Sequence, residues 1–119
     1  MNANDPIRVI REGAVALIEL NDPPYNRLGM SLFDRLEETV DSLAEDPSVR
    51  ALVVRGAGEL NFSVGADIRE FGVAASQRGI KAFIEQRWSV IRRIETMGKP
   101  VVCAIRGACL GGGLEIALG

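Results

Sequence analysis

Three consecutive glycines, Gly111 to Gly113, are followed within one helical turn by the carboxylate of Glu115 near the end of this 119-residue chain. They join an apolar strand predicted over residues 101–105 to a helix predicted over residues 111–118. Each glycine costs a helix interior about 1 kcal/mol relative to alanine, so helix propensity does not explain them. Glycine allows close backbone approach, and the first amides of a helix present unsatisfied N–H groups and a positive dipole end. The segment predicts a site for negative charge, with Glu115 near enough to hold a proton. Taken alone, it is equally typical of a helix packed against a strand with Glu115 solvated.

A second junction from strand through glycine to helix occupies residues 61–70. It carries Gly65 and Ala66, and Asp67 with Glu70 three residues later predicts a capping box at the start of the helix. Backbone N–H groups that converge from two loops form an oxyanion hole, which is often the largest single contribution to catalysis. The two junctions together favour chemistry in which charge develops on an oxygen atom.

These segments resemble the crotonase (enoyl-CoA hydratase/isomerase) superfamily, and within it the chain looks most like an enoyl-CoA hydratase. Residues 62–68 are similar to the family's first oxyanion and CoA-binding loop, and residues 107–115 to its Gly-Gly-Gly-x-Glu segment. Residues 22–28 are similar to its Pro-x-x-Asn-x-Leu segment. The resemblance implies an α/β fold built as a spiral of ββα turns and incomplete at the C-terminus. Residues 1–119 would then be the N-terminal part of a single crotonase-like domain.

The resemblance also implies roles for individual residues. The N–H groups of Ala66 and Gly112 would bind the thioester oxygen of a 2-enoyl-CoA, and Glu115 would be one of two carboxylates that handle the water. The family's second carboxylate lies further downstream than residue 119, and the family's isomerases rely mainly on that acid, so Glu115 favours a hydratase. Substrate contacts are implied for Ser63, Gly65, Ala66, Asp67, Ile68, Arg27 and Gly111. Coenzyme A enters only as part of the substrate thioester, and no separate cofactor is implied.

Two other functions remain open at this point. One is an isomerase or another crotonase reaction on acyl-CoA. The other is an inactive crotonase-like fragment that serves as an interaction module, since the predicted helix over residues 111–118 leaves Leu114, Ile116 and Leu118 without partners. We expect the 119-residue chain alone to be weakly active or inactive and to associate irregularly. For a complete protein the resemblance implies a homo-oligomer, a trimer or hexamer.

Composition excludes several other classes of function. A net charge of −2 and a pI near 5.2 argue against a general nucleic-acid binder. The absence of histidine removes Ser-His-Asp chemistry and the commonest zinc ligand, so Ser63 is not interpreted as a nucleophile and no metal site is predicted. Cys103 and Cys109 have neither redox-pair nor metal-ligand spacing and are interpreted as small core residues. No apolar run is long enough to span a membrane and no secretory signal is visible at the N-terminus, so a cytoplasmic protein is predicted.

Gly107 and Gly112 begin like a nucleotide-binding P-loop, but Gly113-Leu114 stands where Lys-Ser/Thr must hold phosphate and Mg²⁺. The basic residues of the helix predicted over residues 78–97, and Lys99 just after it, are interpreted mainly as a solvated surface or a subunit contact, although they could also meet CoA phosphates. They are Arg78, Lys81, Arg87, Arg92, Arg93 and Lys99.

The elements that must position these residues follow from apolar periodicity. A hairpin is predicted from residues 7–10 and 15–20, a strand from 49–54, and a helix from Ser31 as N-cap to residue 46. The inward face of that helix is predicted to carry Leu32, Leu36, Val40 and Leu43. The inward face of the helix over residues 78–97 is predicted to carry Ile80, Ile84, Trp88, Ile91 and Ile94.

Overall fold

The protein is described by a computed structural model over residues 5–66 and 79–119. Its strands alternate with helices along the chain, as predicted for an α/β protein. In order, the elements are β1 (Ile7–Glu12), β2 (Val15–Leu20), α1 (Met30–Glu45), β3 (Ala51–Gly56), α2 (Ile80–Thr96), β4 (Val101–Ala104) and α3 (Gly112–Leu118).

The strands form one sheet in the order β1-β2-β3-β4. β1 and β2 are antiparallel, with Glu12 opposite Val15, which confirms the predicted hairpin. β2, β3 and β4 are parallel, with Leu20 opposite Gly56 and Arg55 opposite Ala104. Because parallel strands end at the same edge of a sheet, the loops after β2, β3 and β4 leave the sheet side by side, where α/β proteins commonly build their sites.

The core lies where α1 and α2 cover one face of the sheet. The predicted apolar face of α1 is confirmed, and Phe33 on the same helix is buried as well. The predicted N-cap is wrong: α1 begins at Met30, and its N-cap is Gly29, which has no side chain that could cap the helix. The hydrogen bond from Leu28 N–H to the Gly65 carbonyl (2.8 Å) fixes the chain just ahead of the helix, and exposed Ser31 already lies in the first turn.

The inward face of α2 was predicted only in part. Ile91 and Ile94 are buried, but Ile84 and Trp88 are exposed, Trp88 to 55%. Phe83 and Val90 take their places in the core, so the buried stripe lies about one residue from the predicted one. Contacts across to α1 accompany this rotation, since Gln86 Nε2 donates to Asp34 Oδ1 (2.8 Å) and Arg93 pairs with Asp41 and Glu45. Nothing is described of the Ile80 side chain.

α3 packs on the core through Ile116, which is buried, contrary to the prediction that it would lack a partner. Leu114 and Leu118 are exposed as expected. Cys103 and Cys109 are free, partly buried and packed against the core, and burial raises the pKa of both thiols. Across the described part of the chain, no helix is long and apolar enough to cross a membrane.

Candidate active site

The loops after the parallel strands are joined by backbone hydrogen bonds. Leu110 N–H donates to the Ser63 carbonyl (3.0 Å), and both Phe62 and Ser63 donate to the Ala108 carbonyl at 3.1 Å. Together with the bond between Leu28 and Gly65, these contacts bring all three predicted motif segments together at the carboxyl edge of the sheet.

The Ser63 side chain is fully buried and holds the turn of the loop after β3. Its hydroxyl donates to the Asn26 carbonyl (2.7 Å) and accepts from Gly65 N–H (3.1 Å). Asn26 is itself buried at a positive φ of 52°, and its amide donates to the Ala57 and Asn61 carbonyls. The Ser63 hydroxyl therefore makes its hydrogen bonds within the protein. Ser63 can contribute to substrate binding only by holding the backbone of this loop in place.

The turn at Gly65 and Ala66 lies alongside the glycines that precede α3. Gly65 has a φ of 104°, which favours glycine, and a Cβ atom there would lie 3.6 Å from the Gly112 nitrogen. Between the described residues, neither Ala66 N–H nor Gly112 N–H donates a hydrogen bond to the protein. The structure thus brings the N–H groups of Ala66 and Gly112 into neighbouring loops, and neither has an acceptor among the described residues. Gly111, the N-cap of α3, directly precedes Gly112.

Close packing explains the glycines in the first turn of α3. A Cβ atom on Gly112 would lie 2.9 Å from Leu28 Cδ1 and 3.2 Å from Arg87 Nη2. A Cβ atom on Gly113 would lie 2.7 Å from Ser63 Cβ. Both sites confirm that the glycines permit close approach, as the sequence predicted.

Glu115 lies in the first turn of α3, and its Oε1 accepts a hydrogen bond from Arg87 Nη2 in a salt bridge. The two side chains are partly buried, Glu115 exposed to 32% and Arg87 to 19%. Sequence analysis placed Arg87 among the solvated basic residues of α2. Its spacing from Phe83, Val90 and Ile91 puts it on the buried stripe. The sequence alone did not reveal this, because Ile84 and Trp88 fit the helical period equally well.

A groove of about 790 Å³ opens beside Glu115 between α2 and α3. Trp88, Ile91 and Leu118 contribute apolar surface to it, and Leu118 is exposed to 78%. A carboxylate at the wall of an apolar groove can exchange a proton with a bound molecule whose remaining surface is apolar.

Arg27, predicted to meet coenzyme A, lies in the loop after β2. Its Nε donates to Asp22 Oδ2 (2.9 Å), and its guanidinium lies 5.7 Å from the centre of the Tyr25 ring. The contact with coenzyme A stays a prediction. Asp67 and Ile68, also predicted to contact substrate, lie outside the described residues, as does the capping box of Asp67 and Glu70.

Comparison with known proteins shows which families and structures this chain resembles. A family model described as enoyl-CoA hydratase/isomerase matches residues 15–119. A probable enoyl-CoA hydratase of Bacillus subtilis is 36% identical over 104 residues, which are 87% of this chain and 40% of that protein. A short-chain-enoyl-CoA hydratase of Clostridium acetobutylicum is 37% identical over 91% of this chain and 41% of its own length.

A solved structure, an enoyl-CoA hydratase/carnitine racemase from Magnetospirillum magneticum, superposes with a TM-score of 0.88 at 36% sequence identity. The match covers 95% of this chain and 43% of that one. The chain therefore spans about two fifths of the length of these relatives.

Proposed function

The chain belongs to the enoyl-CoA hydratase/isomerase family, and we propose that its site adds water across the double bond of a 2-enoyl-CoA thioester. This proposal depends most on the position of Glu115, a partly buried carboxylate one turn after Gly112. The backbone N–H of Gly112 has no acceptor among the described residues. Hydration needs such a pairing, because a base must act on water while charge develops on the thioester oxygen.

In the proposed reaction the N–H groups of Ala66 and Gly112 bind the thioester carbonyl oxygen. When the water oxygen bonds to Cβ, the electron pair of the carbon–carbon double bond shifts toward Cα and the thioester carbonyl. The thioester oxygen becomes the negatively charged oxygen of an enolate. Donors fixed in advance are effective here because they need no reorganisation as the charge appears. The close approach of the two loops and the unused N–H groups support this assignment.

Glu115 takes the proton that the attacking water gives up, and a second acid delivers a proton to Cα. A single carboxylate is poorly suited to both transfers at once. The family resemblance assigns the second acid to chain beyond residue 119, and the 119-residue chain is accordingly proposed to be weakly active or inactive alone. A homo-oligomer is proposed for a complete protein of this family.

An interaction module is the second candidate, favoured by the exposed apolar side chains Trp88 and Leu118 in one groove. An isomerase is the variant within the family, and the presence of Glu115 favours the hydratase. The deciding experiment supplies the native polypeptide that contains this sequence with crotonyl-CoA and, separately, with a 3-enoyl-CoA. A hydratase forms the 3-hydroxyacyl thioester from crotonyl-CoA. An isomerase interconverts the 3-enoyl and 2-enoyl thioesters without forming the 3-hydroxyacyl thioester, and an interaction module converts neither substrate.

A further inference from the structure

The salt bridge between α2 and α3 leaves the two carboxylate oxygens of Glu115 in different surroundings. Oε1 accepts from Arg87 Nη2, whereas Oε2 accepts no hydrogen bond from any residue in the described ranges. We infer that Arg87 is a positioning residue, which anchors one oxygen of Glu115 so that the other stays open to the reacting water. This inference rests on the proposed hydration.

Arg87 can act as an anchor because its own side chain is held in place. Its guanidinium lies 5.9 Å from the centre of the Phe33 ring, a cation–π arrangement with a buried aromatic residue. Its Nη2 also occupies the space that a side chain at position 112 would need, since a Cβ on Gly112 would lie 3.2 Å away. A solvated arginine on a helix surface has neither constraint.

Anchoring matters because glutamate is a flexible side chain. A free glutamate on the first turn of a helix samples several rotamers, and only some of them direct an oxygen toward a bound thioester. A displacement of about 1 Å from the reactive geometry can cost on the order of 100-fold in rate. The salt bridge with Arg87 restricts Glu115 to one orientation before substrate binds. The planar guanidinium fixes both the direction and the distance of the carboxylate oxygen that it binds.

The purely structural alternative is that the pair only ties α2 to α3. It predicts lower stability and a freer Glu115 side chain when Arg87 is replaced, but an unchanged kcat in protein that still folds. The two possibilities therefore differ in the turnover of folded Arg87 variants.

The test follows the side-chain motion of Glu115 by NMR relaxation in the native polypeptide that contains this sequence, labelled with ¹³C-glutamate. The signal of Glu115 is assigned by its loss in Glu115→Gln. Arg87→Met should lower the side-chain order parameter of Glu115, and Arg87→Lys should leave it between that value and the parent's. Arg93→Met is the matched control, because Arg93 lies on the same helix and pairs with Asp41 and Glu45 instead. It should leave Glu115 unchanged.

Turnover supplies the second readout, in the native polypeptide. Arg87→Met should lower kcat for crotonyl-CoA about 10- to 100-fold with little change in KM, because Arg87 touches Glu115 and not the substrate. Arg87→Lys should restore part of kcat. An unchanged order parameter of Glu115 in folded Arg87→Met overturns the inference. If Arg87→Met fails to fold by circular dichroism, an unchanged order parameter in Arg87→Lys overturns it instead. Absence of hydration by the parent protein would count against the proposed function, whereas an unchanged order parameter in folded Arg87→Met, or an unchanged kcat in a protein that does hydrate crotonyl-CoA, would count against the role of Arg87.

Discussion

Ser63 and Gly113 touch across the boundary between the loop after β3 and the first turn of α3. A Cβ atom added to Gly113 would lie 2.7 Å from Ser63 Cβ and 3.0 Å from the Ser63 carbonyl oxygen. Because Ser63 also holds Gly65 N–H, this contact links the turn that carries Ala66 to the helix that carries Glu115. The parts of the proposed site are thus fixed to one another by packing as well as by hydrogen bonds.

The contact predicts that Gly113→Ala lowers the free energy of unfolding. Overpacking a filled site costs about 1–3 kcal/mol, and alanine's higher helix propensity offsets about 1 kcal/mol of that. Neither the Cβ atom nor the carbonyl oxygen of Ser63 can rotate away, so we expect a net loss in the upper part of the remaining range of about 0–2 kcal/mol. Urea unfolding followed by circular dichroism measures it.

A double variant isolates the contact as the cause. Ser63→Gly removes the contacted Cβ and also destabilises the protein, because two hydrogen bonds of a buried hydroxyl are lost. If the steric contact is real, Ser63→Gly with Gly113→Ala should be less destabilised than the sum of the two single variants. Additive losses would show that Gly113→Ala acts elsewhere.

Apolar periodicity predicted the order of elements because each strand and helix buries one recognisable stripe. The stripe of α1 through Leu36 and Val40 was found from the sequence and is buried. The stripe of α2 was misplaced because Ile84 and Trp88 fit the period as well as Phe83 does, and only contacts with another helix choose between them. Such contacts are not visible in a single helix's pattern.

The sequence predicted the parts of the site that depend on the backbone of glycine residues. It did not predict the salt bridge between Arg87 and Glu115. Glycines at positions 112 and 113 were interpreted as sites of close approach, and their neighbours confirm it. Arg87 was assigned to the surface because six basic residues in and just after the helix predicted over 78–97 look alike in sequence. Its partner, Glu115, lies 28 residues away, and no local spacing rule links the two.

Acid should weaken the fold through the ion pair of Asp5 and Arg35. The hydrogen bond from the Arg35 guanidinium lowers the pKa of Asp5 in the folded protein. Because the pKa of Asp5 is lower in the folded protein than in the unfolded chain, ionised Asp5 stabilises the fold. This stabilisation is complete above the unfolded-state pKa of about 3.9 and is lost progressively as the pH falls from there through the folded-state pKa. Because both side chains are partly exposed, we expect at most about 1 kcal/mol.

Urea unfolding of Asp5→Asn beside the parent at a series of pH values tests this. The difference in unfolding free energy should be largest near neutral pH and should shrink below about pH 4. Glu37→Gln is the control, because Glu37 is exposed on α1 and has no ion pair among the described residues. A difference that stays constant with pH would contradict the assignment to ionised Asp5.

Self-association of the 119-residue chain should depend on the groove beside Glu115. Leu118 and Trp88 expose apolar surface there, and contiguous exposed apolar surface promotes association. Leu118→Lys should shift the mass measured by light scattering toward the monomer. Leu60→Lys, which changes another exposed leucine after β3, should not. A parent chain that is monomeric at all concentrations would refute this prediction.

Glu115→Gln should separate chemistry from binding in the native polypeptide. The amide keeps the shape of the side chain and cannot accept the proton of the attacking water, so we expect kcat for crotonyl-CoA hydration to fall about 100- to 10,000-fold. The dissociation constant for a saturated acyl-CoA should stay close to that of the parent, because the thioester oxygen is proposed to bind backbone N–H groups. Glu95→Gln is the matched control, since Glu95 lines the same groove from α2 and has no place in the proposed reaction. A Glu115→Gln protein that keeps the parental kcat would remove Glu115 from the mechanism.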